Sequence, residues 1–260
     1  MDDRSNSAAI GENEFFWRKT MTSNSLENWS RPEYAQEYRD HSIFYIPERE
    51  TLARVLGSYA RAFLGSLPRP QVLDLGCGDG VISETLHRAL PAAEIVAADG
   101  SADMIAAART RLAGLPVGFR VMSFEEIIDG GLSGPRFDGI YSALAIHHLP
   151  LTGKAALFRA LRLLLGPGGH FLNVDVVTSE TPDYTDWHFA LWREWIVENQ
   201  RALHLGHSYD GVPDVARAKE ENHFDSLPAQ LAALREAGFS DVECHYRYGL
   251  FAIYGGRVQA

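Results

Sequence analysis

The sequence predicts an α/β protein built on a mostly parallel, doubly wound sheet. Three observations carry this. Five strand-like apolar runs alternate with helical patterns between residues 71 and 177, the mark of strands joined by crossover helices. The first strand, VLDL at 72–75, breaks into glycines at every second position, Gly76, Gly78 and Gly80. Such turns let a backbone approach a ligand and aim helix N–H groups at it. The tail, SDVECHYRYGLFAIYGG, reads as a hairpin whose strands meet near Tyr248 and Gly249.

In order along the chain, the first dozen residues are expected to be disordered. NEFFWRKTM reads as a short helix with an aromatic face. SRPEYAQEYRD reads as a second, with Ser30 as N-cap, Pro32 early and Glu33 completing a capping box. Residues 47–65 place Leu52, Val55, Leu56, Tyr59 and Phe63 on one helical face. The alternation then begins with a strand at 71–76 and a helix at 80–90, followed by a strand at 94–98. Ser101 caps the next helix, which Gly114 closes. VGFRVM is the third strand and 137–144 the fourth. Residues 153–165 are a helix, and GPGGHFLNVDVV is a turn feeding the fifth strand. Residues 185–203 form a helix with Trp187, Leu191, Trp192 and Trp195 to one side, a stripe that reads as core with one Trp reaching toward a pocket. A polar loop runs to about 226, and SLPAQLAALREAGF is a last helix before the hairpin.

The composition narrows the function classes. The chain has 260 residues, a formal charge of −10 and two cysteines, Cys77 and Cys244. An acidic surface argues against non-specific grip on nucleic acid. Two cysteines are too few for a disulfide framework or a thiolate metal cage. The N-terminus lacks the charged and apolar regions of a signal peptide, and no apolar run has membrane-spanning length, so a cytoplasmic protein is expected.

The glycine turn admits three readings. A phosphate loop needs a Lys-Ser or Lys-Thr that does not follow here. A dinucleotide turn needs G-x-G-x-x-G, and Val81 stands where its third glycine belongs. The third reading is S-adenosylmethionine. Asp74-Leu-Gly76-Cys-Gly78-Asp-Gly80 resembles the acid-x-G-x-G-x-G signature of the class I S-adenosylmethionine-dependent methyltransferases. VAADGSADMIAAAR, FDGIYSALAIHHL and LLLGPGGHFLNVD resemble that family's later motifs, in order, over residues 70–255.

The resemblance implies a seven-stranded sheet with one antiparallel strand. It also implies a helical N-terminal lid within residues 1–66, a cofactor domain over 67–260 and a helical cap inserted at about 179–226. It implies cofactor contacts by Asp74, Gly76, Gly78, Gly80, Asp99, Gly100 and Met104, with Asp99 on the ribose and Met104 beside the adenine. Arg49 is expected at the cofactor or acceptor. Relatives carry Gly-Asp after the third strand, where this chain has Met122-Ser123-Phe124-Glu125. The adenine contact is therefore expected from Ser123 or Phe124.

The acceptor pocket is expected at the strand ends, where His147 and His148 follow the fourth strand and Asn173 and Asp175 end the fifth. The cap would bring His188, Trp192, Arg193 and His223, and the lid Tyr34, Tyr38 and Tyr45. Three roles compete for the His pair. One His can be a general base, with Tyr38 as a further catalytic candidate. His148, Asp175 and His223 can hold a divalent metal that polarises a carbonyl. In the family at large, HHL contacts cofactor or packs the loop. The resulting expectation is a methyltransferase for a small molecule, by metal-assisted C-methylation of an α-keto acid or by methylation of a related organic acid. It would be a monomer or homodimer. Two alternatives stand: a wobble-uridine tRNA-modifying enzyme, to which the N-terminal helices and the tail are similar, and a non-catalytic cofactor-binding protein.

Overall fold

The computed structural model describes residues 41–205 and 208–259. The expectations for the first two helices, including Tyr34 and Tyr38, lie outside the described residues.

The elements are α1 (Arg49–Leu64), β1 (Gln71–Leu75), α2 (Val81–Ala89), β2 (Glu94–Asp99), α3 (Ala102–Arg111), β3 (Val117–Val121), α4 (Phe124–Ile128), β4 (Phe137–Ala143), α5 (Leu151–Leu164), β5 (Leu165–Val176), α6 (Pro182–Ala202), α7 (Val212–Ala218), α8 (Leu227–Glu236), β6 (Ser240–Tyr248) and β7 (Phe251–Arg257). A 3-10 turn, Ile146–His148, follows β4. The strands form one seven-stranded sheet in the order β3-β2-β1-β4-β5-β7-β6. Strands β1 to β5 pair in parallel, and β7 runs antiparallel to both β5 and β6. The chain winds outward from β1 to β3 and then starts again on the other side at β4. The strand order therefore reverses between β1 and β4, where ligands bind in such sheets.

Both faces of the sheet are covered, which is why its central strands are apolar on both sides. One cluster joins Leu56, Leu86, Tyr141, Leu172 and Trp192, with α1, α2 and α6 packed on that face. The other joins Ile140, Leu157, Phe158, Phe171 and Leu234, under α5 and α8. Two expectations are refined. The Gly-rich run before the fifth strand is an irregularity inside β5, where the pairing shifts between Phe137 and Gly139. The polar loop before 226 contains the short helix α7, started by a Pro in its first turn.

The two ends of the segment between β5 and α8 are tied to each other at Thr178, and its far end is tied to His147 and Lys154. The Thr178 amide donates to Asp225 O (3.1 Å), the Leu227 amide to Thr178 O (3.1 Å) and the His223 amide to His147 O (2.8 Å). Thr178 Oγ1 donates to Phe224 O at 2.9 Å. Lys154 of α5, fully buried, donates to His223 O at 2.5 Å and Asp225 Oδ2 at 2.6 Å. A buried ammonium is tolerated only with such partners. Among the described residues no helix is long and apolar enough to cross a membrane.

Candidate functional site

A cavity of about 230 Å³ opens at the C-terminal ends of β1, β2 and β4. Its described walls are the glycine loop 76–79, the turn Asp99–Ser101 with Met104, the segment Met122–Glu125, the segment Ala143–Ala145 with His148, and the α1 side with Ile46, Arg49 and Leu52.

Left-handed backbone shapes the loop. Gly76 has φ 65°, and a Cβ there would fall 2.5 Å from Ala145 Cβ. The loop thus presses directly on the chain leaving β4. Gly78 has φ 54° and open space where a Cβ would stand. Asp99 fixes this shape from the next strand: Oδ2 accepts the Gly78 amide at 2.9 Å and Oδ1 accepts the Ser101 amide at 2.8 Å. Burial raises the Asp99 pKa, against the pull of those two amides. Two of its roughly four lone-pair sites are used this way. Ser101 caps α3, accepting from the Met104 amide, and Met104 is buried at the cavity wall. Gly100 lines the cavity beside them, whereas Gly80, at φ 88°, is the N-cap of α2 and lies outside the wall.

Asp74 departs from its expected place. It is fully buried beneath the loop and does not line the cavity. Ser83 Oγ of α2 donates to its Oδ2 at 2.6 Å, and its Oδ1 has no hydrogen-bond partner among the described residues. Burial pushes its pKa up to about 7, against the lowering effect of the Ser83 hydrogen bonds. The acid in the first strand therefore ties β1 to α2.

Ser123 departs too. Its hydroxyl accepts from the Glu126 amide (3.2 Å), and the Glu126 carboxylate accepts from the Ser123 amide (2.7 Å), a complete capping box on α4. The S-x-x-E spacing was visible in the sequence and signals this helix. Phe124 and Glu125 line the cavity beside Met122 and Ser123. The Phe124 ring lies 3.5 Å from where a Gly76 Cβ would be.

The two histidines separate. His148 lines the cavity, and its Nδ1 lies 3.4 Å from Glu221 O. Burial first, then the neighbouring His147, lowers its pKa to about 3. His147 lies behind it, ring centroids 4.2 Å apart, with Nδ1 2.6 Å from Asp175 Oδ1. Asn173 Nδ2 donates to the other Asp175 oxygen at 3.3 Å and to Tyr254 Oη at 2.8 Å. Asp175 is thereby committed to His147 and Asn173. His148, Asp175 and His223 are not gathered, and among the described residues no group of three or more His, Cys, Asp or Glu could hold a metal ion. The expected metal triad is corrected on this geometry: Asp175 faces His147, and the His223 main chain is tied to His147 and Lys154.

The residues between β5 and α8 also stand away from the cavity wall. Trp192 is buried and donates its Nε1–H to Tyr45 O at 2.6 Å, as the core reading expects, whereas Trp187 of the same stripe is exposed and the reading is corrected there. Tyr45 is itself buried and does not line the cavity. Arg193 pairs with Asp214 at 2.5 Å. His188 Nδ1 lies 3.4 Å from Arg247 Nη2. Arg49, by contrast, is on the cavity wall and donates to Ser42 Oγ at 2.7 Å.

Comparison with known proteins agrees with this architecture. Residues 72–169 match the family described as a methyltransferase domain. An uncharacterized methyltransferase of Mycobacterium tuberculosis is 36% identical over 123 residues, 46% of this chain and 57% of that protein. A trans-aconitate 2-methyltransferase of an Acidovorax species is 28% identical over 188 residues, 71% of this chain and 62% of that protein. In both, the match spans less than two thirds of the relative's length. The crystal structure of an O-methyltransferase family protein from Burkholderia thailandensis superposes with a TM-score of 0.67 at 14% identity, over 98% of this chain and 70% of that one. That likeness shows a shared fold. The reversed strand order, the glycine loop locked by Asp99 and the matched residues agree: residues 72–169 are a methyltransferase domain, carried in a chain with the class I S-adenosylmethionine-dependent methyltransferase fold.

Proposed function

We propose that this protein transfers a methyl group from S-adenosylmethionine to an oxygen of a small organic acid. The observation that carries the cofactor half is the donor set around the glycine loop. Asp99 keeps lone pairs for a ribose diol while its other sites hold the loop. Gly78 leaves open space beside the loop. Met104 and Phe124 offer apolar faces for an adenine, with Glu125 as a nearby acceptor for its amine. Arg49 is the only Arg or Lys among the described residues of the wall and suits the cofactor carboxylate. The unpartnered Asp74 Oδ1 below the loop is a place where a cation or a bridging water would be satisfied. These residues fit S-adenosylmethionine, which when bound supplies an electrophilic methyl on a sulfonium.

The acceptor half rests on the imidazole. His148 is the one His on the described wall, and a ring whose pKa is lowered to about 3 is a poor proton acceptor at neutral pH. A carboxylate arrives already ionised and needs no base, so the chain has only to align it and exclude water. His147, held by Asp175, positions the turn that presents His148. The trans-aconitate 2-methyltransferase relative, by its name, acts on such an acid, which supports this class.

The test is transfer from labelled S-adenosylmethionine to a panel of dicarboxylic, tricarboxylic, keto and hydroxy acids and amines. Product lability in base should identify a methyl ester. A base-stable product would mean methylation at carbon, nitrogen or a hydroxyl oxygen and not at a carboxylate. Tight S-adenosylhomocysteine binding without transfer to any acceptor would leave a cofactor-binding protein. Asp99→Ala should weaken S-adenosylhomocysteine binding at least tenfold by calorimetry.

A further inference from the structure

Four described residues other than glycine have positive φ: Glu48, Leu144, His204 and Asp241. Glu48, His204 and Asp241 are polar. Leu144, at φ 54°, is apolar and lines the cavity at the end of β4. Left-handed backbone is unfavourable for a residue with a Cβ, and Leu has no side-chain oxygen to bond its own main chain there.

What this conformation achieves is visible in the pleat. Side chains along a strand alternate between faces. Ile140 belongs to the cluster under α5 and α8, and Tyr141 to the cluster on the α1 and α6 side. Ser142 follows, its hydroxyl donating to Leu75 O at 2.8 Å, and Ala143 packs with the Tyr141 cluster. Regular alternation would send residue 144 to the Ile140 side. Leu144 packs instead on the same cluster as Ala143. The ladder is not frayed there, because the Leu144 amide still donates to Val174 O at 2.7 Å. The chain keeps its pairing, breaks the alternation and turns an isobutyl group to where the cavity meets the cluster containing Tyr45, Ile46 and Trp192.

We propose that Leu144 determines acceptor specificity: its left-handed backbone places the side chain as the apolar wall that limits the acceptor's length. This rests on the organic-acid reading above only for the choice of probe.

The experiment uses the protein saturated with S-adenosylhomocysteine and measures calorimetric binding of straight-chain carboxylates from acetate to decanoate. For Leu144→Ala and Leu144→Gly the tightest-binding chain should lengthen by two or more carbons, and for Leu144→Phe it should shorten. S-adenosylhomocysteine affinity should stay within threefold of wild type. An unchanged optimum in all three variants overturns the proposal, and so does a larger loss of cofactor affinity, which would place Leu144 in the cofactor site. Leu144→Gly should melt above Leu144→Ala, the reverse of the usual order; if Ala melts higher, the backbone is not strained and the proposal falls. Acids that follow Leu144 in binding but accept no methyl group leave the wall standing and sink the methylation reading. Methyl transfer with a length profile indifferent to Leu144 does the opposite. Failure of every acid to bind wild type and variants alike overturns both.

Discussion

The His147 imidazole and the Asp175 carboxylate meet at 2.6 Å behind the cavity wall, Nδ1 to Oδ1. Asp175 is buried. Burial pushes its pKa up, but the charge and hydrogen bond of His147, with help from Lys154, outweigh it and leave it below the usual value.

A carboxylate with a depressed folded-state pKa stabilises the fold above its unfolded pKa of about 3.9 and stops doing so as pH falls through the folded value. Asp175→Asn should therefore cost about 3–5 kcal/mol at pH 7. The gap to wild type should close below about pH 4. Urea titrations at pH 7, 5 and 3.5 check this. A gap that does not change with pH would mean Asp175 carries no charge in the fold.

Asp74 has the opposite sign. Its folded pKa is raised to about 7 by burial, so ionisation costs stability progressively between about pH 4 and pH 7, and the cost is constant above. Asp74→Asn should match wild type near pH 4 and exceed it by on the order of 4 kcal/mol at pH 8 in the absence of cofactor. A variant less stable than wild type at pH 8 would show that the ionised carboxylate has a cationic partner.

Gly76→Ala should destabilise by about 3 kcal/mol through left-handed backbone and overlap with Ala145. Ala145→Gly in the same chain removes the overlap but not the backbone cost, so the double variant should recover part of the loss. Thermal melts of the three proteins decide it; no recovery would place the whole effect in the backbone.

Much of this was legible in the sequence, for a physical reason. Strand and helix periodicity, the glycine turn and the Ser101 cap are local, and local signals survive without tertiary knowledge. The S-x-x-E box at Ser123 was equally local, but the position had a rival reading as an adenine contact. What could not be read depends on distant partners. Lys154 sits in a Leu- and Ala-rich helix as an ordinary surface lysine would, and its burial is explained only by distant partners, His223 O and the Asp225 carboxylate. His147 and His148 are adjacent letters, and only Asp175 on β5 separates their environments. The φ of Leu144 leaves no mark in composition at all.

The seam along residues 221–227 has a consequence for how such a protein can diversify. On the inserted side it is written almost wholly in main-chain groups: the carbonyls of His223, Phe224 and Asp225 and the amides of His223 and Leu227. Every amino acid but proline supplies those groups. Side chains of the seam such as Phe224 can therefore be exchanged, by evolution or in a library, without removing the bonds to Lys154 and Thr178. The fastening stays constant while the side chains strung along it are free to drift.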